Sequence, residues 1–148
     1  MSAMPGEQGL ALHDCAPTPQ QVRLLRAATA PAPLALQAWQ QWLEQGDLEH
    51  MDAASFRLLP MVYRNLSNAG GVVPRIKRLR LVYRHSWFRN QALFVEARRF
   101  VDELERAGIP AMLLKGGAMT LRHYRDDGIR YMTDVDVLVP PASFAAAI

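Results

Sequence analysis

Two segments near the end of the chain constrain its fold more than any other feature. The first is Leu113–Gly117 (LLKGG), and the second is Asp134–Val139 (DVDVLV). The first segment predicts a strand that runs into a glycine turn and a helix. The second predicts a buried strand that begins with two carboxylates. Because side chains alternate across a strand, we expect Asp134 and Asp136 on one face, about 6–7 Å apart along the backbone.

The residue types in these segments predict a site for a phosphorylated ligand and a cation. Two carboxylates held this close repel each other, and a bound divalent cation would remove the repulsion. A turn containing Gly116 and Gly117 at a helix start suits a phosphate group. Lys115 is placed to add a point charge to that phosphate, and Arg130 to pair with phosphate or to anchor Asp134. Together these features suggest chemistry on a nucleotide.

Bulk properties exclude several classes of protein. The chain has 148 residues, enough for one domain with a core, and half of them are apolar. The single cysteine, Cys15, has no internal disulfide partner, and the first 19 residues lack the pattern of a signal peptide. The longest apolar run is too short for a membrane span. We therefore expect a cytoplasmic protein without membrane contact.

The order of patterns along the chain predicts an α/β (α+β) fold in three parts. Residues 1–19 are expected to be a disordered tail, 20–107 a helical N-terminal region, and 108–148 the start of a sheet with packed helices. A break is expected in the long last helix of the helical region, near Arg89 and Asn90. The predicted helices are 20–30, 34–45, one that follows Asp52 and kinks or restarts at Pro60, 74–107 and 117–124, and the predicted strands are 109–114 and 134–139.

Basic residues are concentrated in one stretch of the helical region. Residues 75–99 contain eight arginines and lysines against one acid, Glu96. Such a stretch suits nucleic acid or another polyanion, although a solvated helix face is the favoured interpretation. Apolar residues of the same stretch are expected on its buried side: Leu79, Val82, Tyr83, Trp87 and Phe88.

The segments 108–118 and 128–139, with a helix ending at Tyr124 between them, resemble the uncharacterised nucleotidyltransferase family. This family belongs to the polymerase-beta-like nucleotidyltransferase superfamily. The resemblance extends back to about residue 20, more weakly before Pro74. It implies a mixed sheet with packed helices, a triphosphate held at Gly116 and Gly117, and two Mg²⁺ ions (or Mn²⁺) bound by Asp134 and Asp136. The implied reaction moves a nucleoside monophosphate from a nucleoside triphosphate to the hydroxyl of an unknown acceptor.

The sequence departs from the superfamily pattern in two respects, and the second keeps other functions open. Sixteen residues separate Gly117 from Asp134, which is longer than in the superfamily's shorter versions. The superfamily has a third metal-binding carboxylate on a later strand, but no acidic residue follows Asp136 here. Two strands also do not form a stable sheet alone. We therefore expect that these residues are the N-terminal part of a larger fold or need a partner to complete the sheet. The alternatives are a non-catalytic binding or regulatory protein with a degenerate core, and a metal-dependent glycosyltransferase that uses its D-x-D motif.

Overall fold

The structure, a computed structural model, describes residues 16–148. Residues 1–15 of the predicted tail lie outside this range. Helix α1 begins at Pro19, which the sequence assigned to the tail. Thr18 caps it by accepting a hydrogen bond from the Gln21 backbone N–H, while the Gln21 side chain accepts one from the Thr18 N–H. This reciprocal pair is the capping box, and it fixes the helix start.

Within residues 16–75, four helices precede the long basic helix. They are α1 (Pro19–Thr29), α2 (Ala32–Leu43), α3 (Ala53–Phe56) and α4 (Leu59–Ser67). Pro60 lies in the first turn of α4, so the helix predicted to kink or restart at this proline restarts there and is divided into α3 and α4. Asp52 caps α3, as expected, by accepting hydrogen bonds from the backbone N–H groups of Ala54 and Ser55.

Helix α5 (Ile76–Arg106) is the longest element, with 31 residues, or about 46 Å at 1.5 Å per residue. It begins two residues later than predicted, because Arg75 precedes it in the left-handed region. The break expected near Asn90 does not occur. The side chain of Asn90 bonds to a later loop and leaves the helical backbone bonds intact. Gly108, at φ 69°, ends the helix as predicted.

The hydrophobic core lies where α1, α2 and α4 pack together with the first half of α5. We call these elements, residues 16–90, the helical body. Trp39 is fully buried at its centre, stacks on Trp42 with 5.2 Å between ring centroids, and donates a hydrogen bond to the Pro74 carbonyl. The core residues are Leu24, Ala27, Ala28, Ala35, Ala38, Trp39, Trp42, Leu59, Val62, Leu66, Val73 and Leu79.

Trp87 and Phe88 do not belong to this core. Their side chains are 39% and 60% exposed, so the prediction that they line the buried side of the helix was wrong. They lie against each other edge to face at 5.1 Å. The buried face of α5 instead continues from Leu79 through two polar side chains, Ser86 and Asn90. The pattern of apolar residues in the sequence does not show that a loop, and not another helix, packs against this face of α5.

Residues 108–148, the C-terminal segment, follow the long helix. Strand β1 (Met112–Leu113) pairs antiparallel with β2 (Val137–Leu138), so that Leu113 lies opposite Val137. Helix α6 (Lys115–Met119) continues as a π-helical turn over Thr120–Tyr124, and a 3₁₀-helix covers Pro141–Ala146. Both strands are shorter than predicted, because only two residues of each are paired: Met112 with Leu138, and Leu113 with Val137. The fold is therefore mostly helical with a small sheet, and the larger mixed sheet stays a prediction.

Candidate functional site

The antiparallel pairing brings the two predicted site segments side by side. One residue beyond the strand pair, the Leu114 backbone N–H donates to the Asp136 carbonyl at 2.9 Å. Asp136 therefore lies at the residue where β1 ends and α6 begins. The strand and the glycine-containing helix start, which are twenty residues apart in sequence, share one edge of the structure.

Lys115 and Asp136 form the central contact of the site. The Lys115 Nζ atom donates to Asp136 Oδ1 at 2.9 Å, and both side chains reach solvent, at 72% and 35% exposure. The pKa of the Lys115 ammonium is raised by this hydrogen bond and by attraction to the charge of Asp136, with a smaller contribution from Asp134. The ammonium thus lies in the negative field of both carboxylates, and this field attracts a cation.

The two glycines do not form the turn that the sequence suggested. Gly116 and Gly117 lie inside the first turn of α6, and the residue in the left-handed region is Lys115, at φ 46°. Gly116 instead packs closely against two side chains, which would have to shift to admit a Cβ, whereas a Cβ at Gly117 would be in ordinary van der Waals contact. A Cβ at Gly116 would lie 3.0 Å from Met132 Sδ and 3.2 Å from Arg130 Nε, and one at Gly117 would lie 3.4 Å from a Val135 methyl group.

Arg130 therefore lies over the start of α6, where the sequence predicted a phosphate contact. Its side chain is exposed, and its backbone carbonyl is bonded to α5. Lys115, Gly116, Arg130 and Asp136 are thus brought together. Asp134 is exposed and lies two residues before Asp136. Both acids precede strand β2, so the strand predicted to begin at Asp134 begins at Val137. We found no ion pair for it among the residues that the structure describes.

The loop between α6 and the carboxylates is fixed to α5 by polar side chains that the sequence analysis did not identify. Asn90, fully buried, donates to the carbonyls of Asp127 and Arg130 at 2.6 and 2.7 Å and accepts from the Met132 N–H at 3.2 Å. Arg89 Nε donates to the Met132 carbonyl at 2.9 Å. An asparagine inside an otherwise continuous helical pattern is the signal that the sequence offers, whereas the length of the helix suggested a break at this position.

Asp126 is a structural residue in the same loop. Its carboxylate accepts hydrogen bonds from Tyr83 at 2.6 Å, from Arg64 Nε at 2.9 Å and from the Gly128 N–H at 3.0 Å. A Cβ at Gly128 would lie 2.5 Å from the Tyr83 ring, so only glycine fits here. This agrees with the interpretation of Asp126 and Asp127 as turn residues rather than metal ligands.

The residues present fit a Mg²⁺ ion that is shared with a ligand. Mg²⁺ prefers carboxylate oxygens and is often held by one or two carboxylates together with substrate phosphates. The field at Asp136 already attracts the Lys115 ammonium. Within residues 16–148, no cluster of three or more His, Cys, Asp or Glu is positioned to enclose a metal. The described side chains thus offer two carboxylate ligands and leave the remaining positions to phosphate oxygens and water.

The arrangement defines a class: an α+β protein in which a glycine-containing helix start lies beside a segment with two acidic residues that leads into a strand. The sequence model of the uncharacterised nucleotidyltransferase family matches residues 52–148, and the chain belongs to this family. The match begins at the N-cap of α3 and includes every predicted site residue. No curated protein and no solved structure shows significant similarity to the chain. None of the helices in residues 16–148 is both long enough and apolar enough to cross a bilayer.

Proposed function

We propose that this site binds a nucleoside triphosphate together with Mg²⁺ and transfers the nucleoside monophosphate to an acceptor hydroxyl. The observation that carries the proposal is the contact of Lys115 with Asp136 at the residue where strand β1 becomes helix α6. This contact places a carboxylate that attracts cations next to a helix start. Two successive residues of that helix start, Gly116 and Gly117, have no Cβ. Membership of a nucleotidyltransferase family supports the same assignment.

In this proposal the triphosphate lies over the first turn of α6. The first backbone N–H groups of a helix have no partner within the helix and point outward, so they suit an anion. No side chain in the described chain caps this helix start. Arg130 and Lys115 add positive charge at its rim, Arg130 as a planar fork and Lys115 as a mobile point charge.

Asp134 and Asp136 would hold the metal, together with phosphate oxygens. When bound, Mg²⁺ would supply neutralisation of the charge that develops on the phosphate oxygens. Lys115 must leave Asp136 for the metal to bind, and its ammonium is then free to turn toward the triphosphate. In the reaction, the acceptor oxygen forms a bond to the α-phosphorus, the bond from that phosphorus to the bridging oxygen breaks, and the hydroxyl proton and pyrophosphate are released.

A nucleotide-binding protein without transfer activity is the second candidate. It is favoured by the absence of a third carboxylate beside Asp134 and Asp136 in the part of the chain that the structure describes. Both candidates predict Mg²⁺-dependent nucleotide binding, and only the first predicts release of pyrophosphate.

Calorimetry tests the shared binding step. We expect ATP, GTP, CTP or UTP to bind in the presence of Mg²⁺, and binding to be lost in the Asp134→Asn/Asp136→Asn double variant. Asp102→Asn is the matched control, because Asp102 is a 42% exposed carboxylate on α5 that pairs with Arg98. Folding of each variant is checked by circular dichroism. Equal binding in wild type and double variant would refute the site, and a preference for nucleotide sugars would favour a glycosyltransferase.

Lys115→Met separates the two roles given to Lys115. Removal of the ammonium from Asp136 should strengthen the binding of Mn²⁺ alone, because the metal no longer competes with it. The same variant should weaken triphosphate binding in the presence of metal, because a phosphate contact is lost. If both affinities remain at their wild-type values, Lys115 is only an exposed lysine. Because Lys115 is mostly solvent-exposed, we expect little change in the unfolding midpoint.

A further inference from the structure

Sixteen residues separate Gly117 from Asp134, and nothing in their sequence indicates what holds the carboxylates at the helix start. Nine of them, residues 125–133, form the loop that follows the π-helical turn, and such a loop explores many conformations unless tertiary contacts restrict it. The metal and phosphate contacts need a fixed separation, since ligand geometry for Mg²⁺ is strict. The position of the loop is therefore a functional requirement of the proposed site.

The structure assigns this task to Asn90: we infer that it is a positioning residue, which sets the place of Asp134 and Asp136 relative to α6. This inference rests on the proposed function. We use the name Asn90 clamp for the three hydrogen bonds of the Asn90 side chain, to the Asp127 carbonyl, the Arg130 carbonyl and the Met132 N–H. The clamp fixes three points of the loop within the seven residues that precede Asp134.

Met132 transmits the position from the clamp to the glycines. Its N–H is bonded to Asn90 and its carbonyl to Arg89, so two successive residues of α5 hold one residue of the loop. Its buried side chain points the other way, toward α6. The Met132 sulfur lies 3.9 Å from Thr120 Oγ1 and against Gly116, where a Cβ would come within 3.0 Å of it. The chain of contacts thus runs from α5 through Met132 to the helix start.

The chemistry of the amide explains why asparagine suits this position. Its Nδ2 group has two hydrogens, and each meets a backbone carbonyl, while Oδ1 accepts from a backbone N–H. All three partners are main-chain groups, so the clamp fixes the path of the backbone whatever the loop side chains are. Asn90 is fully buried, so water does not replace a lost bond easily. The clamp is therefore rigid in the way that a support for metal ligands must be.

Mn²⁺ titration followed by electron paramagnetic resonance tests the inference on the full chain. The variants are Asn90→Leu, which keeps the branched shape of the side chain without its hydrogen bonds, and Arg89→Met. The matched control is Asn65→Leu. Asn65 also donates to two backbone carbonyls, those of Ala27 and Ala30 at 3.0 and 2.9 Å, but within the helical body. All measurements are made at a temperature at which circular dichroism shows each variant to be folded.

We expect Asn90→Leu to weaken Mn²⁺ binding by about 10- to 100-fold, as is typical when support of metal ligands is removed. Arg89→Met should weaken it less, and Asn65→Leu should leave it unchanged even where it lowers the unfolding midpoint as much. A merely structural role of Asn90 would not separate these two asparagines. Wild-type affinity in folded Asn90→Leu would overturn the inference and leave the proposed function standing.

Two further outcomes are also decisive. If Asn90→Leu does not fold, Arg89→Met gives the answer, because Arg89 is exposed on α5 and its loss does not open the core. Unchanged Mn²⁺ affinity in that variant then overturns the inference, and a loss supports it. If the wild-type chain is folded and binds no Mn²⁺ at millimolar concentration, the proposed metal site and the inference fall together.

Discussion

The helical body and the C-terminal segment are held together by different kinds of contact. The helical body buries a continuous apolar core around Trp39, with twelve buried side chains from α1, α2, α4 and α5 and the Val73 turn. In residues 108–148, all of which the structure describes, the buried apolar side chains are those of Ile109 and Met132. This segment is fixed chiefly by hydrogen bonds from α5 to its backbone.

The difference explains why a site can be formed at the less apolar region. Burial of apolar side chains is strong but has little direction, so it stabilises a body without fixing single atoms. Hydrogen bonds to main-chain groups contribute less free energy each and define positions closely. The C-terminal segment, which contains Asp134 and Asp136, is held chiefly by such hydrogen bonds. We therefore expect changes in the body to affect the whole chain, and changes at its contacts with the loop to act locally.

The largest expected effect is that of Trp39→Ala. Loss of a fully buried tryptophan should lower the free energy of unfolding by about 3–5 kcal/mol, because a cavity replaces its packing. Urea denaturation followed by circular dichroism measures this. Trp87→Ala is the matched control, since Trp87 is 39% exposed, and it should have a much smaller effect. If both substitutions destabilise the chain equally, the core does not lie where the structure places it.

Asp126→Ala tests the comparison at the contact between the helical body and the C-terminal segment. It removes the acceptor for Tyr83, Arg64 and the Gly128 N–H, so we expect a loss of about 1–3 kcal/mol. Hydrogen–deuterium exchange should show faster exchange in residues 125–133 and nearly unchanged exchange in α1 and α2. Equal acceleration in α1 and α2 would mean that the two regions unfold as one unit and that the contrast between them is wrong.

The same contact predicts a dependence of stability on alkaline pH. Burial, and next the hydrogen bond to Asp126, raise the pKa of Tyr83. Because the folded pKa lies above the unfolded value of about 10, the contribution of Tyr83 is complete below pH 10 and is lost as the pH rises through the folded pKa. Denaturation at pH 9 and 11 should show this loss in wild type. Tyr83→Phe should show less of it, and an identical loss in both proteins would contradict the prediction.

The smallest effect is expected from Asp52→Ala, which is local to the helical body. Loss of the α3 N-cap should lower the free energy of unfolding by about 1 kcal/mol. The pKa of Asp52 is lowered, chiefly by its hydrogen bonds to Ser55, so its contribution is present above about pH 3.9 and is lost as the pH falls through the folded pKa. Wild type and variant should therefore converge in acid. A constant difference from pH 7 to pH 2 would contradict this.

Part of the fold and of the site could be predicted because the signals are local. The capping residue Asp52, the helix end at Gly108 and the two segments of the site follow from turn chemistry and side-chain alternation. Gly108 illustrates this: its N–H bonds to the Glu105 carbonyl and the Ile109 N–H to the Leu104 carbonyl, a helix ending that requires a left-handed residue at 108. Lys115 and Asp136, which the sequence assigns to one site, are in contact, and their function stays a prediction.

Other features could not be predicted because they depend on which distant groups meet. The exposure of Trp87 depends on where α5 finds its partners, and an apolar residue carries no sign of that. The reason for Gly116 is the approach of Met132 and Arg130, which are more than a dozen residues away. The left-handed conformation of Lys115 would have been assigned to a glycine on propensity alone, because the penalty for a side chain there is one that tertiary contacts can offset.

The sequence by itself determined the types and the order of the main elements, the two acidic residues just before the second strand and the glycines upstream of them, because each follows from the chemistry of neighbouring residues. Only the tertiary structure decided that Asn90 stays within an unbroken helix and holds the loop through its side chain. The reason is physical: an asparagine amide satisfies its hydrogen bonds equally well at a helix end or across forty residues, and the choice between them depends on which backbone groups are buried beside it.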